Sequence, residues 1–272
     1  MNSYIPHTLL IITVLFSTGY YFLQNPSMPT SPCPKMSDYH YPTASDKAET
    51  LFRQARTLQK QEEAKPFEEH DHSEVVRLYD LAASQGHWKA MNNLGVLYAV
   101  GYFIPQDKKK AKALFKSMMD MGVPEGYINM AKYASGRERR KYLQKAAEKG
   151  HPRSQYIYAI SLYKTKEKNN IKIGEQWMQC AFENGYPDAA FSLGVDAESD
   201  GNDVQAYDYY KQGAMWGSQL CMLEMKQTYQ FGRHGKKKDL KRSECFYRLV
   251  ELLDEDPTRT FPDIDKLCPP SE

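Results

Sequence analysis

Residues 90–122, AMNNLGVLYAVGYFIPQDKKKAKALFKSMMDMG, decide the fold. The stretch ends in an amphipathic run closed by Gly122, and the same layout recurs along the chain. Residues 75–90, 112–126, 140–154, 174–189 and 206–220 each hold an amphipathic helix, small residues, a glycine, a short link and the start of another helix. The punctuating glycines are Gly86, Gly122, Gly150, Gly185 and Gly217, spaced by 36, 28, 35 and 32 residues. A period in the thirties with two helices per unit predicts an all-α solenoid of stacked helix-turn-helix repeats. Glycine suits the left-handed position that closes a helix. Pro124, Pro152 and Pro187 come two residues later, where a new helix loses nothing by lacking an N–H. Tyr79, Phe115, Tyr142, Trp177 and Tyr209 stand seven or eight residues before the glycines. One copy of this stripe cannot bury itself; stacked copies can.

Within the opening stretch, Ala90, Leu94-Gly95, Tyr98, Gly101, Asp107, Lys110-Ala111, Phe115 and Gly122 fall in one register. That register resembles the Sel-one-like repeat, a relative of the tetratricopeptide repeat. YLQKAAEKGH at residues 142–151 and the pair Leu193-Gly194 carry the likeness further, to about residues 66–232. The unit from Gly122 to Gly150 departs from it by being short, which leaves its stacking geometry open. The resemblance implies a surface that binds protein. Around the repeats, taken as residues 66–240, a helix over 46–65 with Leu51, Phe52, Ala55 and Leu58 on one face is expected to cap the first unit. Residues 241–272 form a last helix and a tail.

Residues 8–23, TLLIITVLFSTGYYFL, hold no charge, and the first basic residue is Lys35. As a helix the run spans roughly 24 Å, or about 30 Å counted from Tyr4, which matches a bilayer core. Residues 1–23 therefore read either as a signal anchor or as a cleaved signal peptide. Prolines 26, 29, 32, 34 and 42 make residues 24–45 an extended spacer. The expected location is the periplasmic side of the inner membrane, anchored by that segment, or the soluble periplasm if it is removed.

Charge is balanced, 36 basic against 34 acidic residues, which excludes a protein built around a nucleic-acid-binding face. The five cysteines fit no zinc spacing and include no Cys-x-x-Cys. In an oxidising compartment Cys245 and Cys268 are expected to pair and tie down the tail, while Cys180 and Cys221 read as small buried apolar residues. No phosphate loop and no Gly-x-Ser-x-Gly is present, so neither a catalytic site nor a cofactor is expected. Glu68-Glu69-His70-Asp71-His72 lacks further ligands for a metal and reads as a solvated link. Lys108-Lys109-Lys110 and Lys236-Lys237-Lys238 with Lys241-Arg242 read as charged inter-helix loops, with anionic lipid or an acidic partner as the alternative.

Tyr98, Phe115 and Trp177 occupy core positions of the repeat pattern. Tyr156, Tyr158, Tyr207, Tyr210 and Trp216 exceed it, and extra Tyr and Trp on a solenoid surface are candidates for partner binding. The ending FPDIDKLCPP from Phe261 is similar to that of Gram-negative Sel-one-like proteins encoded beside phospholipase toxins of type VI secretion. That resemblance implies an immunity protein that binds and inhibits a lipase or phospholipase toxin. The alternative is a membrane-anchored scaffold or regulator of envelope assembly.

Overall fold

The computed structural model describes residues 26–102 and 104–271. Among these residues the chain is all-helical, and the uncharged run over 8–23 lies outside them. Helices α1 (Asp46–Glu63) and α2 (Ser73–Ser84) form the first pair. Then come α3 (Trp88–Val100) with α4 (Lys108–Asp120), α5 (Pro124–Ala131) with α6 (Gly136–Glu148), and α7 (Pro152–Tyr163) with α8 (Lys168–Glu183). Helices α9 (Pro187–Ser199) with α10 (Asp203–Met215), α11 (Gln219–Phe231) with α12 (Leu240–Glu255), and the short α13 (Ile264–Leu267) complete the order. Each of α1 to α11 packs on the next in sequence, the nearest-neighbour stacking of a solenoid. The helix expected as a cap is thus the first member of a full pair. The shortening of the unit before Gly150 falls on α5, which has 8 residues where α3 has 13.

One turn geometry joins the pairs. All five punctuating glycines have positive φ, from 78° to 86°. The N–H of the following residue reaches back into the helix: His87 to the Ala82 carbonyl at 3.1 Å, His151 to Ala146 at 3.2 Å, Ser218 to Gly213 at 2.9 Å. This is the Schellman closure, and only glycine enters it without a Cβ penalty. The same residues then start the next helix. His87 and His151 accept through Nδ1 from the N–H of Ala90 and Ser154, and the Ser218 hydroxyl accepts from Cys221. At Val123 and Tyr186 no side chain caps the helix, and a proline at its first position takes over.

The buried stripe keeps an exact count of seven. Tyr79, Phe115, Leu143, Met178 and Tyr210 stand seven residues before the five glycines, and all are buried. Tyr142 and Tyr209, eight residues before, are only half-buried. The expected stripe was therefore one residue out of register in three units, and of the three off-register rings only Trp177 is buried. Helical glycines admit these rings: a Cβ on Gly95 would lie 2.5 Å from the Phe115 ring, and one on Gly194 would lie 2.4 Å from the Tyr210 ring. That close approach is why the repeat uses Leu-Gly at this point.

The described part of the expected spacer is not a free tether; it docks on the turns. Ser27 accepts from Trp177 Nε1 at 2.8 Å through its carbonyl, and the Pro34 carbonyl accepts from Gln155 and Asn184, each at 2.9 Å. The backbone of Lys35 crosses Gly150, where a Cβ would lie 2.1 Å from its carbonyl carbon. Tyr41 stacks on Trp88 at 4.5 Å and donates to Glu125 at 2.8 Å. A disulfide joins Cys33 to Cys180. The reading of Cys180 as a plain buried side chain is corrected: the strap brings its partner. Cys221 is a buried free thiol, its pKa pushed up to about 12 by burial.

At the other end, Cys245 is bonded to Cys268. The tail is further held by Phe261 N–H on the Met215 carbonyl at 2.8 Å, by Arg242 on Asp265 at 2.6 Å, and by Ser271 on Asp239. The link after α1 is folded: Glu68, Glu69 and Asp71 are exposed as a solvated link would have them, but its end is tied in. Buried Glu62 accepts from Lys65 and from the Asp71 N–H, and His72 is buried. Lys108–Lys110 form the first turn of α4 beneath the Asp107 cap instead of a loop.

Candidate protein-binding surface

Three of the five proposed contact residues are core. Tyr158 is buried edge-on to Trp177 at 5.8 Å, with its hydroxyl donating to Gln144 at 3.1 Å. Tyr210 is buried at the seven-residue position against Gly194 and donates to Glu198 at 3.0 Å. Burial raises the pKa of both phenols. Tyr207 is buried against Tyr229, the two hydroxyls 2.8 Å apart. A ring without exposed area makes no first contact with a partner, so these three leave the candidate surface. Tyr210 looked superfluous because the stripe was counted one residue too far, whereas Tyr158 and Tyr207 lie outside that stripe.

Tyr156 and Trp216 remain half-exposed, and the structure supplies neighbours for both. The Tyr156 ring lies 5.1 Å from Tyr186. Trp216 lies 5.3 Å from Phe182, which meets Tyr209 edge-on at 4.9 Å. Phe182 is in the last turn of α8 and Tyr186 follows it at the cap of α9, so the two groups sit at one inter-repeat turn. Helix ends place Phe182, Tyr186 and Trp216 there, while Tyr156 and Tyr209 lie within α7 and α10 and are half-buried. The result is a patch of half-buried aromatic rings fixed on rigid helices, the residue type that anchors protein interfaces at low conformational cost. The sequence reading named neither Phe182 nor Tyr186 and placed Tyr209 in the core stripe. Tyr209 was countable, since it lies one residue off the buried register.

The strap runs beside this patch. Pro34 bonds Gln155, the neighbour of Tyr156, and Asn184, two residues before Tyr186. Tyr186 carries a pKa raised to about 12, first by burial and then by Asp188, so its phenol stays protonated as a donor. Among the described residues no group of three or more His, Cys, Asp or Glu side chains is arranged to hold a metal.

The Sel1 repeat family model matches residues 69–87, 88–123, 140–151, 152–186 and 187–218. Its boundaries fall at the glycine turns. This is a Sel1-repeat protein. Its structure is similar to that of immunity protein PA5088 from Pseudomonas aeruginosa, with a TM-score of 0.68 and 27% identity over 88% of this chain and 93% of that one. Immunity protein Pa5087 from the same organism matches with a TM-score of 0.63 and 27% identity, covering 87% and 93%. A Sel1 repeat protein from Oxalobacter formigenes, 20% identical, shares the fold with a TM-score of 0.66 over 75% of this chain and 87% of that one. Among curated proteins, Chitin synthase regulatory factor 3 of Schizosaccharomyces pombe is 24% identical over 186 residues. The Sel1-repeat chain is matched over 65% of its length but spans only 17% of that relative.

Proposed function

We propose that this Sel1-repeat protein is a periplasmic immunity protein that binds and inhibits a lipase or phospholipase toxin delivered by type VI secretion. The observation that carries the reading is its likeness, along nearly the whole described chain, to two Pseudomonas aeruginosa immunity proteins. Inhibition works by occlusion: rigid rings at Tyr156, Phe182, Tyr186, Tyr209 and Trp216 cover the toxin's active-site mouth or its membrane-facing patch. No chemistry is asked of the repeat protein itself. Two disulfides, Cys33–Cys180 and Cys245–Cys268, support an oxidising compartment, where such bonds persist. The uncharged run over 8–23 supplies the export signal or anchor. Among the described residues no helix is long and apolar enough to cross a membrane.

Two tests apply. A periplasmic phosphatase reporter fused after residue 45 should be active, and a reporter that works only in the cytoplasm should be silent there; the reverse pattern refutes export. Where a lipase gene adjoins this one, cells directing that lipase to their own periplasm should survive only when the Sel1-repeat protein is co-expressed. Death with and without it refutes immunity. A second reading, a membrane-anchored regulator of envelope assembly, draws on the regulatory relative from fission yeast, and a gene with no toxin beside it favours that reading.

A further inference from the structure

A second surface lies at the C-terminal end of the solenoid, between α10, α11 and the start of α12. It is an open groove of about 1020 Å³, lined by six basic side chains and two carboxylates. The carboxylates are already engaged. Asp265 takes Arg242 and Lys211, and Asp239 caps α12 while accepting from Ser271, contacts that hold its pKa below the usual carboxylate range. Lys236 lies over the Tyr207 ring, 3.9 Å from its centroid. Lys237, Lys238 and Lys241 are exposed and have no ion pair among the described residues. At the floor, Arg242 is 8% exposed and packs 4.3 Å over Tyr229, and its Nε has no hydrogen-bond partner.

The loop that presents the lysines is built rather than loose. Arg233 N–H closes on the Thr228 carbonyl at 2.9 Å, Lys236 on Arg233 at 2.9 Å, and Asp239 on Tyr229 at 2.8 Å. Leu240, 59% exposed, adds an apolar wall. We infer that this groove docks an acidic segment of a protein partner, one carrying carboxylates next to an apolar side chain. Charge complementarity gives the sign of the partner. Size and shape give its class: the volume far exceeds a phosphate, the exposed Leu240 asks for apolar contact, and a flat lipid surface does not reach a nine-tenths buried guanidinium. The inference rests on the protein-binding reading of the repeats and not on the identity of any toxin.

The test titrates the purified full-length protein into a short fluorescein-labelled peptide of glutamates interrupted by leucine, followed by anisotropy. The same peptide with glutamine for glutamate, and vesicles of phosphatidylcholine with phosphatidylglycerol, serve as competing probes. The glutamate peptide should bind, the glutamine peptide should not, and the anionic vesicles should capture no more protein than vesicles of phosphatidylcholine alone. The triple variant Lys237→Glu/Lys238→Glu/Lys241→Glu should weaken peptide binding by roughly tenfold or more, with an unchanged thermal melt. The triple change to glutamine should weaken it in the same direction, and Leu240→Ser should weaken it with the charges intact. Equal binding of both peptides, indifference to the lysine changes, or extra capture by the anionic vesicles over vesicles of phosphatidylcholine alone that the lysine changes abolish overturns the proposal. Lipase inhibition that survives the charge reversal would place the toxin elsewhere and leave immunity standing. Peptide binding by a protein that inhibits no lipase would do the opposite.

Discussion

His151 closes α6 and caps α7 at once, and that double duty has a pH consequence. Its Nδ1 accepts from the Ser154 N–H, which requires a neutral ring. Burial, with Arg153 second, lowers its pKa to about 4. A folded-state pKa below the unfolded value of roughly 6.5 means that the unfolded chain binds the proton first on acidification. This contribution to stability is complete above about pH 6.5 and is lost as pH falls toward 4, by ~2 kcal/mol near pH 5. Denaturant melts should show wild type losing about that much more between neutral pH and about pH 5 than His151→Asn, which caps without titrating. Equal losses would mean that the folded ring takes up the proton as readily as the unfolded chain does.

Position, not residue type, separates the tyrosines. Tyr210→Ala empties a buried site against Gly194 and should cost ~3–5 kcal/mol, whereas half-exposed Tyr156→Ala should cost ~1 kcal/mol or less. Urea melts check this ordering; equal costs would contradict the seven-residue register. The sequence showed that aromatics recur before the glycines. It could mislead by one residue because Tyr209 and Tyr210 are adjacent and both apolar enough to fit a stripe. Only the ring's meeting with Gly194 resolves which one points inward.

At the scale of elements, the helices and turns were legible, since glycine, proline and capping residues act through local backbone geometry. The strap was not. Prolines announce an extended chain but say nothing about where it lies, and its docking depends on side-chain amides of Gln155 and Asn184 and on the bare face of Gly150, far away in sequence. The bond from Cys33 to Cys180 spans 147 residues, so in the chain-entropy model it stabilises by about 5 kcal/mol. The variant Cys33→Ala/Cys180→Ala should lose a large part of this and should be cut by trypsin after Lys35 faster than wild type. Quantitative denaturation and timed digestion measure both. A strap as protected and a melt as steep without the bond would make the disulfide incidental.

For the whole molecule, the repeats fix a stack in which every unit leans on its neighbours, and the surface is what remains for function. Balanced charge over the whole chain concealed a strongly basic groove at one end, because composition averages over faces that folding separates. The same averaging hid the half-buried patch around Trp216, which no single repeat contains. The central claim is that this surface captures and silences a lipase. Its most direct measurement, once the neighbouring genes are searched for a lipase toxin, is calorimetric titration of the oxidised protein into that purified lipase, with phospholipid hydrolysis assayed on the same mixtures. A one-to-one complex that abolishes hydrolysis is expected, with Tyr156→Ala and Trp216→Ala together weakening it by ~2 kcal/mol or more while the melt stays close to wild type. No heat of binding and undiminished hydrolysis at equimolar protein would contradict the account.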